Sequence, residues 1–262
     1  MSDAFIANQR AVLAASLDGT EGAQSPRDID SLTGNNTKTT ITADPFTLMN
    51  LCDIHFHKSA EHKGGEFTKY AGNGNGEGYG SGYEYNDRDK LTAAELAPYP
   101  FKEQSEHNPL YPGDTIEAHY VYSDNAGAYL GNGLGTCLGT APAGTQPSLL
   151  VESEVYVLVN DTTAQDFNVL NKITTEANGF HQAASIPDPT GTRAVHYEGS
   201  TTGPSYDEKV SPYQVSWVVR KHVTKVNIAT VETWLEHNDF NETHAHGVRN
   251  LVINPALLSQ IN

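Results

Sequence analysis

The sequence predicts a mainly β protein with few short helices. Three observations carry this. Tyr (13 residues) and β-branched residues, the natural strand formers, are plentiful. Gly (23) and Pro (13) recur at short intervals, which favours short strands joined by turns. Few stretches keep an apolar period of 3.6 residues. The exceptions, Asn8 to Leu17 and Ala229 to Asn238, are read as short helices. At 262 residues, with no internal repeat and no Pro/Ser linker, the chain is expected to form one domain over 1–262.

The elements follow in chain order. Residues 1–20 read as a weakly helical entry segment. Gly22 to Asp30 reads as a turn and a short extended piece, and Gly34-Asn35-Asn36 as a turn. Thr39–Thr42 and Thr47–His57 are expected strands. Gly72 to Gly82, with glycine recurring along it, reads as a loop opening a Gly-rich insertion over 72–111. Within it Leu91–Leu96 is expected to make a helical turn, because Thr92 and Glu95 stand at capping-box spacing. Strands resume at Thr115–Tyr122, Leu149–Asn160 and Tyr213–Val219, with a further short strand at Val226–Ile228. Val155, Val157 and Val159 share one face, as do Val215, Trp217 and Val219.

A net charge of −16 argues against nucleic acid or an anionic membrane as partner. No apolar run reaches the ~18 residues of a membrane-spanning helix, and no signal peptide is visible in the first residues. Cys52 and Cys137 are expected to form a disulfide, with two buried free thiols as the alternative. A disulfide in turn makes a periplasmic or secreted location the expectation. Cys52 stands at an odd offset from His55, so on a regular strand it would face away from that residue.

The chemistry concentrates in Leu51-Cys-Asp-Ile-His-Phe-His-Lys58. His55 and His57, two apart on a strand, present their imidazoles to the same face. A third histidine, His119, lies in the strand-like run Thr115–Tyr122. Three histidines from two strands, with no fourth protein ligand, describe a catalytic zinc site with an open position. Ligand histidines need acceptors for their other N–H. Glu117, two before His119, suits that role, and Glu61 is close enough to reach the site. His244 and His246 form a second pair with no strand-like surroundings. They are read as a structural pair, with a proton relay or a second metal site as alternatives.

These residues resemble a known family. His55-Phe-His57, Glu61-His62 and Glu117-Ala-His119 are similar, in order, to the zinc-site motifs of alpha-class carbonic anhydrases. Gln24-Ser-Pro-Arg-Asp-Ile29, Tyr197-Glu-Gly-Ser-Thr-Thr-Gly-Pro204 and Val215-Ser-Trp217 look like further motifs of that family. Asp53–Phe67, with the Gly-rich insertion after it, resembles more closely still the delta-class enzymes of diatoms and bacteria. The resemblance implies an alpha-carbonic-anhydrase-like central twisted, mostly antiparallel sheet. It implies zinc on His55, His57 and His119, and reversible hydration of carbon dioxide to bicarbonate. Thr202 would be the hydroxyl that orients the nucleophile and donates to Glu61, and Glu117 would accept from His119. Tyr197 and Ser25 would be polar supports. Val121, Val155, Val215 and Trp217 would line the substrate pocket. No histidine precedes His55, where the family often carries its proton shuttle, so His107, His244 and His246 are the candidate relays. A homodimer is an open alternative to a monomer. Two rival readings stand beside this one. His55-x-His57-x-x-x-Glu61 also matches the first metal motif of cupins, which would recruit Glu61 to iron or manganese. A non-catalytic zinc-binding β module is the other.

Overall fold

The computed structural model describes residues 1–31, 34–39, 42–102, 105–106, 108–142, 145–184, 186, 194–201, 206 and 208–261. Its strands are β1 (Asn50–Lys58), β2 (Phe67–Asn73), β3 (Ser81–Tyr85), β4 (Thr115–Ser123), β5 (Leu149–Val159), β6 (Ile173–Thr175), β7 (His181–Ala183), β8 (Val195–Thr201) and β9 (Tyr213–Asn227). Its helices are α1 (Asp3–Ser16), α2 (Leu134–Leu138), α3 (Phe167–Leu170) and α4 (Ile228–His237). Five strands form the central sheet in the order β1-β4-β5-β9-β8. All neighbours are antiparallel except β5 and β9, which run parallel.

Every residue of β4 and β5 is buried, so the sheet is covered on both faces. Period two then sorts the side chains. Val151, Val155, Val157 and Val159 join Val121, Val215, Trp217 and Val219 in one core. Leu150, Tyr156 and Leu158 join Ile54, Phe56, Tyr120 and Tyr122 in the other. Helix α4 closes the second core: Trp234 meets Phe56 and Phe167 with ring centroids 5.9 and 5.3 Å apart. Side chains of this size each stabilise the fold by about 1.5–3 kcal/mol on full burial.

Both expected helices form with shifted ends. Helix α1 starts earlier, where the Ser2 side chain accepts from the Phe5 amide as an N-cap. Helix α4 starts after Asn227, which caps it in the same way. Strand β1 begins at Asn50 because Phe46–Leu48 is wound into a 3-10 turn. The separate strand expected at Val226 is not separate: β9 is one strand of 15 residues. Arg220, Lys221 and His222 look like a break in sequence, but Arg220 is held between Glu152 and Glu154 of β5. Gly72–Gly82 is not wholly loop. Gly72 pairs with Gly82 in the β2–β3 hairpin, whose tip spans the residues between. Gly34-Asn35-Asn36 is not a free turn. Its amides donate to Ser259, Pro255 and Leu258, and a Cβ on Gly34 would collide with the Leu258 carbonyl. The Thr92–Glu95 capping box is present, each residue's side chain accepting from the other's amide at 2.7 and 3.2 Å. The strand expected at Thr39–Thr42 is irregular at both ends, and its two middle residues lie outside the described set.

Cys52 and Cys137 form the expected disulfide, tying β1 to α2. The strand is not regular there. The register slips between Leu51 and Asp53, leaving Cys52 as the extra residue of a bulge. Cys52 therefore packs in the same core as Val121 and Trp217, rather than on the far face as regular alternation would have it.

Candidate metal centre

The antiparallel register of β1 and β4 sets His55 opposite His119 and His57 opposite Glu117. The three histidine rings converge on one face, with centroids 5.2, 5.2 and 4.7 Å apart. One ligand nitrogen from each lies within 4.8 Å of the others, and this is the group of metal-ligating side chains found among the described residues. Glu61 borders the same cavity without joining that group, which counts against a cupin-like ligand set.

Two of the rings have one nitrogen committed to an acceptor, and the third has one nitrogen turned toward a carboxylate. His55 Nδ1 donates to Asp53 Oδ2 at 2.7 Å, and His57 Nδ1 donates to the Gly247 carbonyl at 2.7 Å. His119 Nε2 faces Glu117 Oε1 at 3.5 Å, a contact too long to count as a formed hydrogen bond. Nε2 of His55, Nε2 of His57 and Nδ1 of His119 are the nitrogens left over, and one nitrogen of each ring lies within 4.8 Å of the others. Three neutral imidazole donors with oriented outer partners suit zinc. Burial, joined by the nearby His119, His55 and His246, holds His57 well below the usual histidine range, so it offers a lone pair. Burial also lowers His55, but the carboxylates of Asp53, Glu242 and Glu61 outweigh it and raise the net value. A cation binding here would displace that proton.

Behind His119 runs a buried polar chain. Glu117 is fully buried; its Oε2 accepts from the Glu61 amide at 2.5 Å, and its Oε1 from Ser153 Oγ at 2.6 Å and His62 Nδ1 at 2.9 Å. Burial alone would raise the Glu117 carboxyl, yet His62 and His119 hold it well below the carboxylate range, so it is ionised. With His62 Nδ1–H turned to Glu117, the Tyr197 hydroxyl donates to His62 Nε2 at 2.5 Å. Ser25 exchanges two hydrogen bonds with the Ser200 backbone beside Tyr197. Gly199 makes room: a Cβ there would sit 2.6 Å from Ser25 Oγ.

The three histidines open into a cavity of about 340 Å³. Val121 and Leu134 give it an apolar side, while Glu61, Thr201 and Arg249 are polar members of its wall. Of the four side chains expected to line it, only Val121 does. Val155, Val215 and Trp217 are buried in the adjoining core cluster. Trp217 supports the site from there, edge-on to His119 and His62 at 5.0 and 5.1 Å. His246 stacks on His55 at 5.0 Å and meets Glu242 Oε2 through Nε2 at 2.7 Å. His244 stands farther out, in an adjoining cleft that shares His246, Tyr206 and Gly247 with the main cavity. Thr202 and His107 lie outside the described residues; Thr201, next to the former, lines the cavity.

Sequence reasoning gave no role to Asp53, Gly247, Leu134 and Arg249, nor to His62, which it named only as part of the Glu61-His62 motif. Asp53 had a signal, since it precedes His55 by two and shares its face. His62 had only its place beside Glu61. Gly247 acts through its carbonyl, which no side-chain pattern reports.

A family model described as delta carbonic anhydrase matches residues 46–230, a span that holds all three histidines, Glu61 and Glu117. No curated protein matches the chain. Among solved structures, a halotolerant carbonic anhydrase from Dunaliella salina is 18% identical over 59% of this chain and 52% of its own, with a TM-score of 0.29. This chain thus spans about half of that protein. The alpha-carbonic anhydrase of Thermovibrio ammonificans is 13% identical over 93% of this chain and 88% of its own, with a TM-score of 0.29. That of Photobacterium profundum is 12% identical over 96% and 97%, with a TM-score of 0.29. At such TM-scores these likenesses decide nothing by themselves; the family match rests on the sequence.

Proposed function

The chain belongs to the delta carbonic anhydrase family, and from that premise we propose that it hydrates carbon dioxide reversibly on a zinc ion held by His55, His57 and His119. The observation that carries the proposal is the convergence of the three rings, with Nδ1 of His55 and of His57 each bonded to a protein acceptor and Nε2 of His119 turned toward Glu117. When bound, zinc supplies Lewis acidity, lowering the pKa of water to about 7 and stabilising the negative charge of bicarbonate.

The chain's own residues do the rest. Asp53, Gly247 and Glu117 hold the three rings in orientation. Val121 and Leu134 give the uncharged gas an apolar surface. Thr202 accepts a hydrogen bond from the attacking oxygen and passes its own to the Glu61 carboxylate, which aims a lone pair at carbon. The spent proton leaves by His246, stacked on His55, toward the cleft that holds His244.

Stopped-flow hydration by the zinc-loaded protein tests the reading. The wild type is expected to exceed the buffer rate and His119→Ala to match it. Equal rates for the two proteins would overturn the proposal. Thr202→Ala is expected to keep its zinc and lose turnover; unchanged turnover removes Thr202 from the mechanism.

A further inference from the structure

The Gly-rich hairpin pairs through Tyr83 with Ala60, and its tip reaches the site through a second segment. Residues 245–248 run alongside the outer edge of β1. The His246 amide donates to Phe56 O at 2.8 Å, and the Lys58 amide donates to His246 O at 3.1 Å. Those rungs carry Gly247 past His57, where its carbonyl accepts from Nδ1. On its other side the segment is gripped by the hairpin. The Val248 amide donates to Gly78 O at 2.9 Å. Ser81 Oγ, itself buried, lies 2.9 Å from Val248 O and 3.0 Å from Gly78 O. Gly78 has a φ of +89°, and a Cβ built on it would stand 2.5 Å from the Tyr206 ring and 3.0 Å from the Gly247 Cα. Contact that close is open only to glycine.

We infer that the hairpin tip is a brace for the metal centre: Gly78 and Ser81 are positioning residues that set the Gly247 carbonyl, and through it the orientation of His57. This rests on the proposal that His57 binds a metal. The physical reason is that a backbone carbonyl has no rotamer to adjust. Its place is the place of its segment, and β1 holds that segment from one side only.

The glycines of the tip supply their own control. Gly80 also lies at positive φ, +74°, but a Cβ there meets nothing within 4 Å. Gly78→Ala and Gly80→Ala therefore share the backbone strain and differ in the push against Gly247 and Tyr206. Two readouts separate the brace from the metal reading. In metal-free protein, hydrogen exchange at the Val248 amide is expected to quicken in Gly78→Ala and stay as in the wild type in Gly80→Ala. In zinc titrations, Gly78→Ala is expected to lose about 10- to 100-fold in affinity, the usual scale for loss of an outer partner of a ligand histidine, with Gly80→Ala near wild type. Ser81→Ala is expected to follow Gly78→Ala in both readouts, and serves should Gly78→Ala not fold. Equal behaviour of the Gly78 and Gly80 variants, with Ser81→Ala like the wild type, overturns the brace. A wild type that protects Val248 but binds no zinc keeps the brace and overturns the metal reading instead.

Discussion

Strand β5 carries a buried polar cluster against each of its faces. On the site face, Ser153 joins Glu117, His62 and Tyr197. On the back face, Glu152 and Glu154 receive Arg220 of β9, at 2.6 and 3.0 Å. Burial is alike, with Ser153, Glu152 and Glu154 at 0, 4 and 1% exposure, so depth does not separate the two. Closure does. Behind the sheet, both carboxylates meet a guanidinium of opposite charge. In front, the chain of donors and acceptors runs from Tyr197 to Glu117 and ends facing an imidazole whose other nitrogen stays open. A buried cluster that closes on itself serves the fold; one that ends on an open donor atom can hold something else.

Breaking the closed cluster should produce the largest effect. Arg220→Met removes the buried cation that Glu152 and Glu154 share, and is expected to cost about 3–5 kcal/mol of stability. Denaturant midpoints measure this, and zinc affinity is expected to hold. A loss of zinc affinity as large as the loss of stability would erase the distinction between the faces. Next comes the disulfide on the site side. Cys137→Ser releases α2 from β1, with an expected loss of about 2–4 kcal/mol, read from thermal unfolding. Glu117→Gln should reverse the Arg220 pattern. Zinc affinity is expected to fall about 10- to 100-fold, or roughly 1.4–2.7 kcal/mol, as followed by competition with a chelator. An unchanged affinity would mean that the site-face chain is only structural.

The smallest effect concerns pH. Glu198, on the back face beside Ser216, is pushed up by burial, against the hydrogen bond it accepts from Ser216. Its folded value lies above the unfolded one, so the folded state is favoured below about 4.5 and loses that advantage as pH rises through the folded value. Glu198→Gln is expected to match the wild type near the acid end and to exceed it slightly at neutral pH. Denaturation at the two pH values measures the difference, and a gain at acid pH would reverse the sign. Glu117, held low, carries the opposite dependence.

Much of the site was legible because period two is a local rule. His55 and His57, and likewise Glu117 and His119, share a face by spacing alone, and the motif order joined the two strands before any register was known. The same rule misplaced Cys52, because a bulge adds a residue that spacing cannot announce. It divided β9 in two, because the partners that neutralise Arg220 lie on another strand. It enlarged the pocket to Val155, Val215 and Trp217, because facing the same side of a sheet is not the same as reaching the same cavity.

By itself the sequence determined which residue types could meet a metal, that two strands would present them, and the β-rich character of the chain. Those follow from side-chain alternation over neighbouring residues. Only the tertiary structure decided which nitrogen of each imidazole stays open, that His246 stacks on His55, and that a Gly-rich hairpin reaches the site through Gly247. Each of these depends on where a distant backbone segment passes. A carbonyl 190 residues from the histidine it orients leaves no mark in the local pattern on either side.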